Sequence, residues 1–236
     1  MEWLERTQLL VGEEGLAKLQ NAKVLIVGLG GVGAYAAEQI CRAGVGNLTI
    51  VDGDVVDTTN RNRQLPALIS TTGKPKAEIL KERFLDINPD LNLTVINAFL
   101  KDENMIELLE EPFDYVVDCI DTLAPKVYLI YHAMQRGYKV ISSMGAGGKF
   151  DPMQVKVADI SKTHNCNLAR MLRKRLYKLG VRKGFKAIFS PELIDKSKVI
   201  IDEGQNKKSV VGTISYMPPV FGCHCAAALI KDILES

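Results

Sequence analysis

The stretch Val24-Leu25-Ile26-Val27-Gly28-Leu29-Gly30-Gly31-Val32-Gly33 decides the fold. Its first four residues are aliphatic without a polar break, which reads as a short strand buried on both faces. Glycines at such a strand's end permit a tight turn and let backbone N–H groups approach a phosphate where a helix begins, here over 32–43. A second strand at 48–51 ends on Asp52, about 20 residues further on, where a carboxylate can accept hydrogen bonds from a ribose. Together these elements predict a nucleotide site on a parallel sheet. On these residues alone an NAD-dependent oxidoreductase remains open beside other nucleotide-using enzymes.

Outward from that core, short β-branched runs at 93–96, 115–117 and 139–141 alternate with helical periodicity. Ala77, Leu80, Phe84 and Ile87 form an apolar stripe on a helix that Pro75 starts and Asn88-Pro89 ends. Further helices are predicted near 103–109 and 125–136. The fold class is α/β: a Rossmann-like, doubly wound, mostly parallel sheet with a C-terminal extension. Regularity breaks after Gly145-Ala146-Gly147-Gly148, and 155–159 reads as a strand exposed on one face. One unit is expected over 1–236, its nucleotide-binding part about 20–150 and its substrate-facing part about 151–236.

With 47% hydrophobic residues in 236, the chain can bury a sizeable core, and a net charge of +2 says little about partners. The N-terminus lacks the pattern of a signal peptide, so a cytoplasmic location and no membrane partner are expected. The apolar stretch 210–230 contains Pro218, Pro219 and His224 and reads as buried strand, turn and helix. Five cysteines without a C-x-x-C pair argue against disulfides and against zinc. Cys119 and the Cys223-His224-Cys225 cluster are read as core residues.

The polar segment 52–73 is too long for an ordinary connection, which points to function. It contains Asn60-Arg61-Asn62-Arg63-Gln64 and leads into Gly73-Lys74-Pro75-Lys76, and Asp118-Cys119-Ile120-Asp121 follows the fourth strand. In this order the motifs resemble the adenylating domain of the ubiquitin-activating (ThiF/MoeB/HesA-like) superfamily. Gly28, Gly30, Gly31, Gly33, Asp52, Asp54, Asn60, Arg63, Gln64 and Lys76 stand at its motif positions, and Asp121 matches its acidic residue after the fourth strand. The resemblance implies ATP and magnesium as cofactors and adenylation of a carboxylate. That reaction brings two anions together, so cations must surround the phosphates. Arg63 offers a planar fork, Lys76 a point charge, and Asp121 a carboxylate to hold magnesium or orient the triphosphate. The resemblance also implies a homodimer, across which Arg6 could be lent.

The second half resembles the branch of tRNA threonylcarbamoyladenosine dehydratases, through Gly145-Ala146-Gly147-Gly148-Lys149-Phe150-Asp151-Pro152, Phe189-Ser190-Pro191-Glu192 and Gly212-Thr213-Ile214-Ser215-Tyr216-Met217-Pro218. It implies an ATP-dependent ligase or cyclase acting on tRNA. A basic stretch fits that partner: Arg170, Arg173, Lys174, Arg175, Lys178, Arg182, Lys183 and Lys186 lie in 160–191, which holds no Asp or Glu. Leu168, Met171, Leu172, Leu176 and Leu179 fall at helical spacing, so one face can dock while the charges face outward. Tyr177 and Phe185 are candidates to stack on bases. The alternative is an adenylyltransferase for a ubiquitin-like sulfur-carrier protein, whose relatives usually carry the C-x-x-C pairs missing here. A sulfur-transfer or sulfur-carrier partner therefore stays open.

Overall fold

A computed structural model describes residues 2–195, 197, 199–200 and 210–236 of the chain. Seven strands form one sheet in the order β3-β2-β1-β4-β5-β7-β6, where β1 is Lys23–Val27, β2 Asn47–Val51, β3 Asn92–Ile96, β4 Tyr115–Asp118, β5 Lys139–Ser143, β6 Lys156–Asp159 and β7 Lys186–Phe189. Every pairing is parallel except that of β6 with β7, which is antiparallel and closes one edge. The extension therefore adds β6 and β7 to the same sheet, while Val199–Ile200 and Val210–Val211 pair antiparallel in a separate two-stranded sheet.

Strand alternation assigns each side chain to one of two cores. Val24 and Ile26 of β1 pack with α2 (Gly33–Arg42) and α3 (Lys76–Ile87), whereas Leu25 and Val27 pack with α4 (Asp102–Leu108) and α5 (Leu123–Gln135). Both faces are covered, so β1 and β4 carry consecutive apolar residues, Val24 to Val27 and Tyr115 to Val117, rather than alternating ones.

Two elements differ from the sequence reading. The helix α1 (Glu5–Asn21) was not expected, because Gly12 and Gly15 interrupt its pattern; Gly12 has a φ of 77° and kinks it. Gly15 is required where α1 meets the last helix, since a Cβ there would lie 2.9 Å from Leu234. On α6 (Asn167–Lys178) the buried stripe is Ala169, Leu172 and Leu176, with Leu168 packed beside it. Leu179 lies past the helix end and is exposed, and Met171 is half-buried.

The last helix, called α7 here (Met217–Glu235), carries Pro218 and Pro219 in its first turn, where a missing N–H leaves no hydrogen bond unmade. By length and composition it could cross a bilayer, yet Met217, Phe221, Cys225, Leu229 and Ile233 repeat every four residues into the core against α2. Gly222 allows that contact, because a Cβ would sit 2.5 Å from the carbonyl oxygen of Val32. Cys225 is buried as expected, but Cys223 faces out and is exposed, because neighbours two apart on a helix point about 200° apart. Cys119 is only half-buried.

Candidate active site

In an open α/β sheet, ligands bind beyond the carboxyl ends of the strands where strand order reverses. Here the chain runs outward from β1 through β2 to β3, then crosses to β4 and proceeds the other way. The reversal lies between β1 and β4, and the loops leaving both strands touch. Gly28 has a φ of 87°, and a Cβ on it would lie 2.9 Å from the carbonyl oxygen of Cys119. Gly33 is tighter still: its Cβ would come within 1.7 Å of the oxygen of Gly28. These two glycines are fixed by packing. Among the described residues a Cβ on Gly30 would meet only the Gln64 amide, at 3.8 Å, which leaves that side of the loop open.

Asp52 stands at the end of β2 and closes against the same loop. Its Oδ2 accepts from the Leu29 N–H at 2.5 Å and its Oδ1 from the Asp54 N–H at 2.7 Å. Burial raises the Asp52 carboxyl above the usual range, against the pull of those two hydrogen bonds. The polar segment then folds back on itself. Val55 bridges to Pro75, Asp54 O accepts from the Lys76 N–H at 3.1 Å, and Lys76 Nζ lies 3.0 Å from Asp54 Oδ2. Lys76 is thus carried into the first turn of α3, where it is only 3% exposed.

The Asn60 to Gln64 segment packs beside the glycines. Asn60 ends a short 3-10 turn and its Oδ1 accepts from the Asp57 N–H at 3.1 Å. Arg63 Nη1 donates to Thr59 O at 3.0 Å and to Asn62 Oδ1 at 2.8 Å, while the Arg63 backbone lies against Gly31. Asn62 Nδ2 donates to Thr213 O at 3.0 Å, tying this segment to the chain just before α7. Gln64 Oε1 is buried with no hydrogen-bond partner among the described residues. A buried carbonyl oxygen of this kind is costly unless something donates to it.

After β4 the two acids separate. Asp118 is fully buried, and Asp121 is exposed on the turn into α5, where its Oδ1 accepts from Thr122 Oγ1 at 3.3 Å. Lys126 is also fully buried and pairs with Asp118, which sequence reasoning missed. A lone lysine in a helix is normally solvated, and the only signal was its place between Pro125 and Val127. Arg6 is exposed on the first turn of α1.

The basic residues gather on a separate surface. A groove of about 690 Å³ is lined by Ser161, Arg170, Arg173, Lys174, Tyr177, Lys178 and Arg182. Arg175 and Lys183 are exposed but lie outside this lining. Lys186 does not face outward with the others; it is half-buried on β7 and ion-paired with Asp232 of α7. Arg173 is half-buried and donates to Thr163 O at 3.0 Å, so it braces α6 as well as lining the groove. Tyr177 is 58% exposed, with the Arg182 guanidinium 4.6 Å from its ring centre. Phe185 is buried in the core, so of the two aromatic candidates only Tyr177 offers a face to a base.

The tRNA threonylcarbamoyladenosine dehydratase of Bacillus subtilis is 40% identical over 242 residues, covering 98% of this chain and 94% of that protein. The crystal structure of the Escherichia coli enzyme of that name, TcdA, in complex with ATP superimposes with a TM-score of 0.90 at 33% identity, over 99% of this chain and 94% of that one. Its complex with AMP gives 0.89 at 34% identity, covering 99% and 96%. The ThiF family matches residues 4–236, the span that runs from α1 to the end of α7, and the chain belongs to that family.

Proposed function

We propose that this chain is an ATP-dependent tRNA threonylcarbamoyladenosine dehydratase, acting through an acyl adenylate. The carboxylate of the modified nucleoside attacks the α-phosphorus of ATP and pyrophosphate leaves. A nitrogen of the same group then attacks the acyl carbon, closing a ring and breaking the bond to AMP, so that the lost carboxylate oxygen leaves in AMP and the nitrogen's proton goes to solvent. Closure within one molecule needs positioning rather than a covalent enzyme intermediate. The observation that carries this reading is the joining of the open glycine loop, the Asp52 strand end and buried Lys76 at one switch point. The names and nucleotide complexes of the relatives support it.

In this reading Gly28, Gly30, Gly31 and Gly33 cradle the nucleotide, Asp52 keeps the ribose side of the loop in place, and Asn60 and Gln64 complete the pocket. The unpartnered Gln64 Oε1 would accept from a nucleotide hydroxyl or amino group. Arg63 and Lys76 neutralise the phosphates, with Lys76 turning from Asp54 toward them. Magnesium bound by phosphate oxygens usually takes only one or two protein carboxylates. Asp121 and Asp54 are exposed carboxylates that fit such a role, and the ion would supply charge neutralisation at the triphosphate. The whole chain would act as one adenylating unit, cytoplasmic in keeping with its free cysteines, and tRNA would lie along the basic groove. Exposed Leu9 and Leu10 beside Arg6 support a homodimer.

The test is to incubate the protein with ATP, magnesium and tRNA bearing threonylcarbamoyladenosine, then weigh the nucleoside after digestion. ATP-dependent loss of one water is the expected result. No loss, with pyrophosphate exchange on a small protein carrier instead, would replace this function with that of a sulfur-carrier adenylyltransferase.

A further inference from the structure

Behind the turn that carries Asp121 lies a buried ion pair that the chemistry above does not use. Asp118 closes β4 and Lys126 opens α5, and neither side chain has any exposed surface. Lys126 Nζ lies 2.7 Å from Asp118 Oδ2, which also accepts from Ser142 Oγ of β5 at 2.6 Å. The same two residues grip one residue of the turn at both its polar groups. Asp118 Oδ1 accepts from the Ile120 N–H at 3.1 Å, and Lys126 Nζ donates to the Ile120 carbonyl at 2.9 Å.

A buried ion pair is a poor device for stability, because desolvation cancels most of the attraction and an apolar pair of similar volume does as well. What it supplies instead is direction, since each bond fixes an angle as well as a distance. The turn it fixes is the wall against which the nucleotide loop rests: Cys119 O is the atom a Cβ on Gly28 would strike.

We infer that Asp118, Lys126 and Ser142 are positioning residues that hold the turn from Cys119 to Thr122, and Asp121 with it, against the glycine loop. This rests on the ATP reading of the site and assigns that site its support. A displaced turn weakens ATP binding without touching the groove proposed for tRNA.

The test compares the full-length chain with Lys126→Met, Asp118→Asn and the double variant, by calorimetric ATP binding, thermal melting, and separate KM values for ATP and tRNA. Each single change strands a buried partner and should lower both Tm and ATP affinity. The double variant leaves no uncompensated charge, so it should recover most of the Tm while ATP binding stays about tenfold or more weaker, with the KM for tRNA unchanged. A double variant that melts and binds ATP like the parent overturns the inference. If it does not fold, Ser142→Ala decides: about a threefold rise in the ATP KM alone is expected, and no rise overturns the inference. Failure of the unmodified chain to bind ATP is a different result, since it removes the underlying function as well.

Discussion

Lys76→Met should separate activity from stability, because the lysine's surroundings differ along its length. Its stem is buried and its ammonium ends on Asp54, whose side chain is 54% exposed. An ion pair with one wet partner contributes about 0–1 kcal/mol. Methionine keeps the buried volume of the stem, so the fold loses little. With about 1 kcal/mol shifting Tm by 2–4 °C in a domain of this size, the change should stay below about 4 °C. The effect on chemistry is larger. A unit charge about 4 Å from a phosphate oxygen, at an effective dielectric near 20, contributes about 4 kcal/mol, or about a thousandfold in rate. Pyrophosphate release in the presence of ATP and modified tRNA, measured beside a thermal melt, checks both halves. Turnover within about tenfold of the parent, in a variant that melts normally, would remove Lys76 from the phosphate site.

Gly33→Ala places a Cβ 1.7 Å from the Gly28 oxygen and should abolish nucleotide binding, whereas Gly73→Ala, with φ of 84° and open space around it, should cost only about 1 kcal/mol in a denaturation curve. Burial raises the Glu38 carboxyl, but hydrogen bonds from Arg83 and Arg42 outweigh it and hold the group below its ordinary 4.5. That stabilisation is present above about pH 4.5 and fades as pH falls through the lowered value, so Glu38→Gln should cost about 2 kcal/mol at pH 7 and progressively less in acid, read as the difference between two Tm profiles. Charge reversal at Lys174, Lys178 and Arg182 should weaken tRNA binding and flatten the plot of log affinity against log salt by about three units, while ATP binding is unchanged. Burial pushes the Cys41 thiol up to about 11, so at pH 8 a thiol reagent should leave it unmodified in the folded protein and reach exposed Cys223 first.

The nucleotide half was legible because its signals are local. A glycine loop, a strand-end acid and a proline-initiated helix each encode their conformation in neighbouring residues, so Lys76 could be placed at a helix start from Pro75 alone. What stayed hidden depends on contacts between distant segments. Apart from its place between Pro125 and Val127, Lys126 carries no local mark of burial, since the acid that accounts for it closes a strand eight residues earlier and the hydroxyl that completes the set comes from β5. Gly222 and Gly15 look like helix defects in sequence and become necessary only when α7 lies against α2 and α1. The basic stretch shows the same division. Its charge was plain from composition, but folding sorts it into a groove that keeps Arg170 and Lys178, a brace that holds Arg173 to Thr163, and a core-side pair that takes Lys186 away to Asp232. Local pattern therefore brings the glycine loop, Asp52 and Lys76 into view, while only the sheet's reversal between β1 and β4 sets the loop leaving β1 against the turn that Asp118 and Lys126 hold.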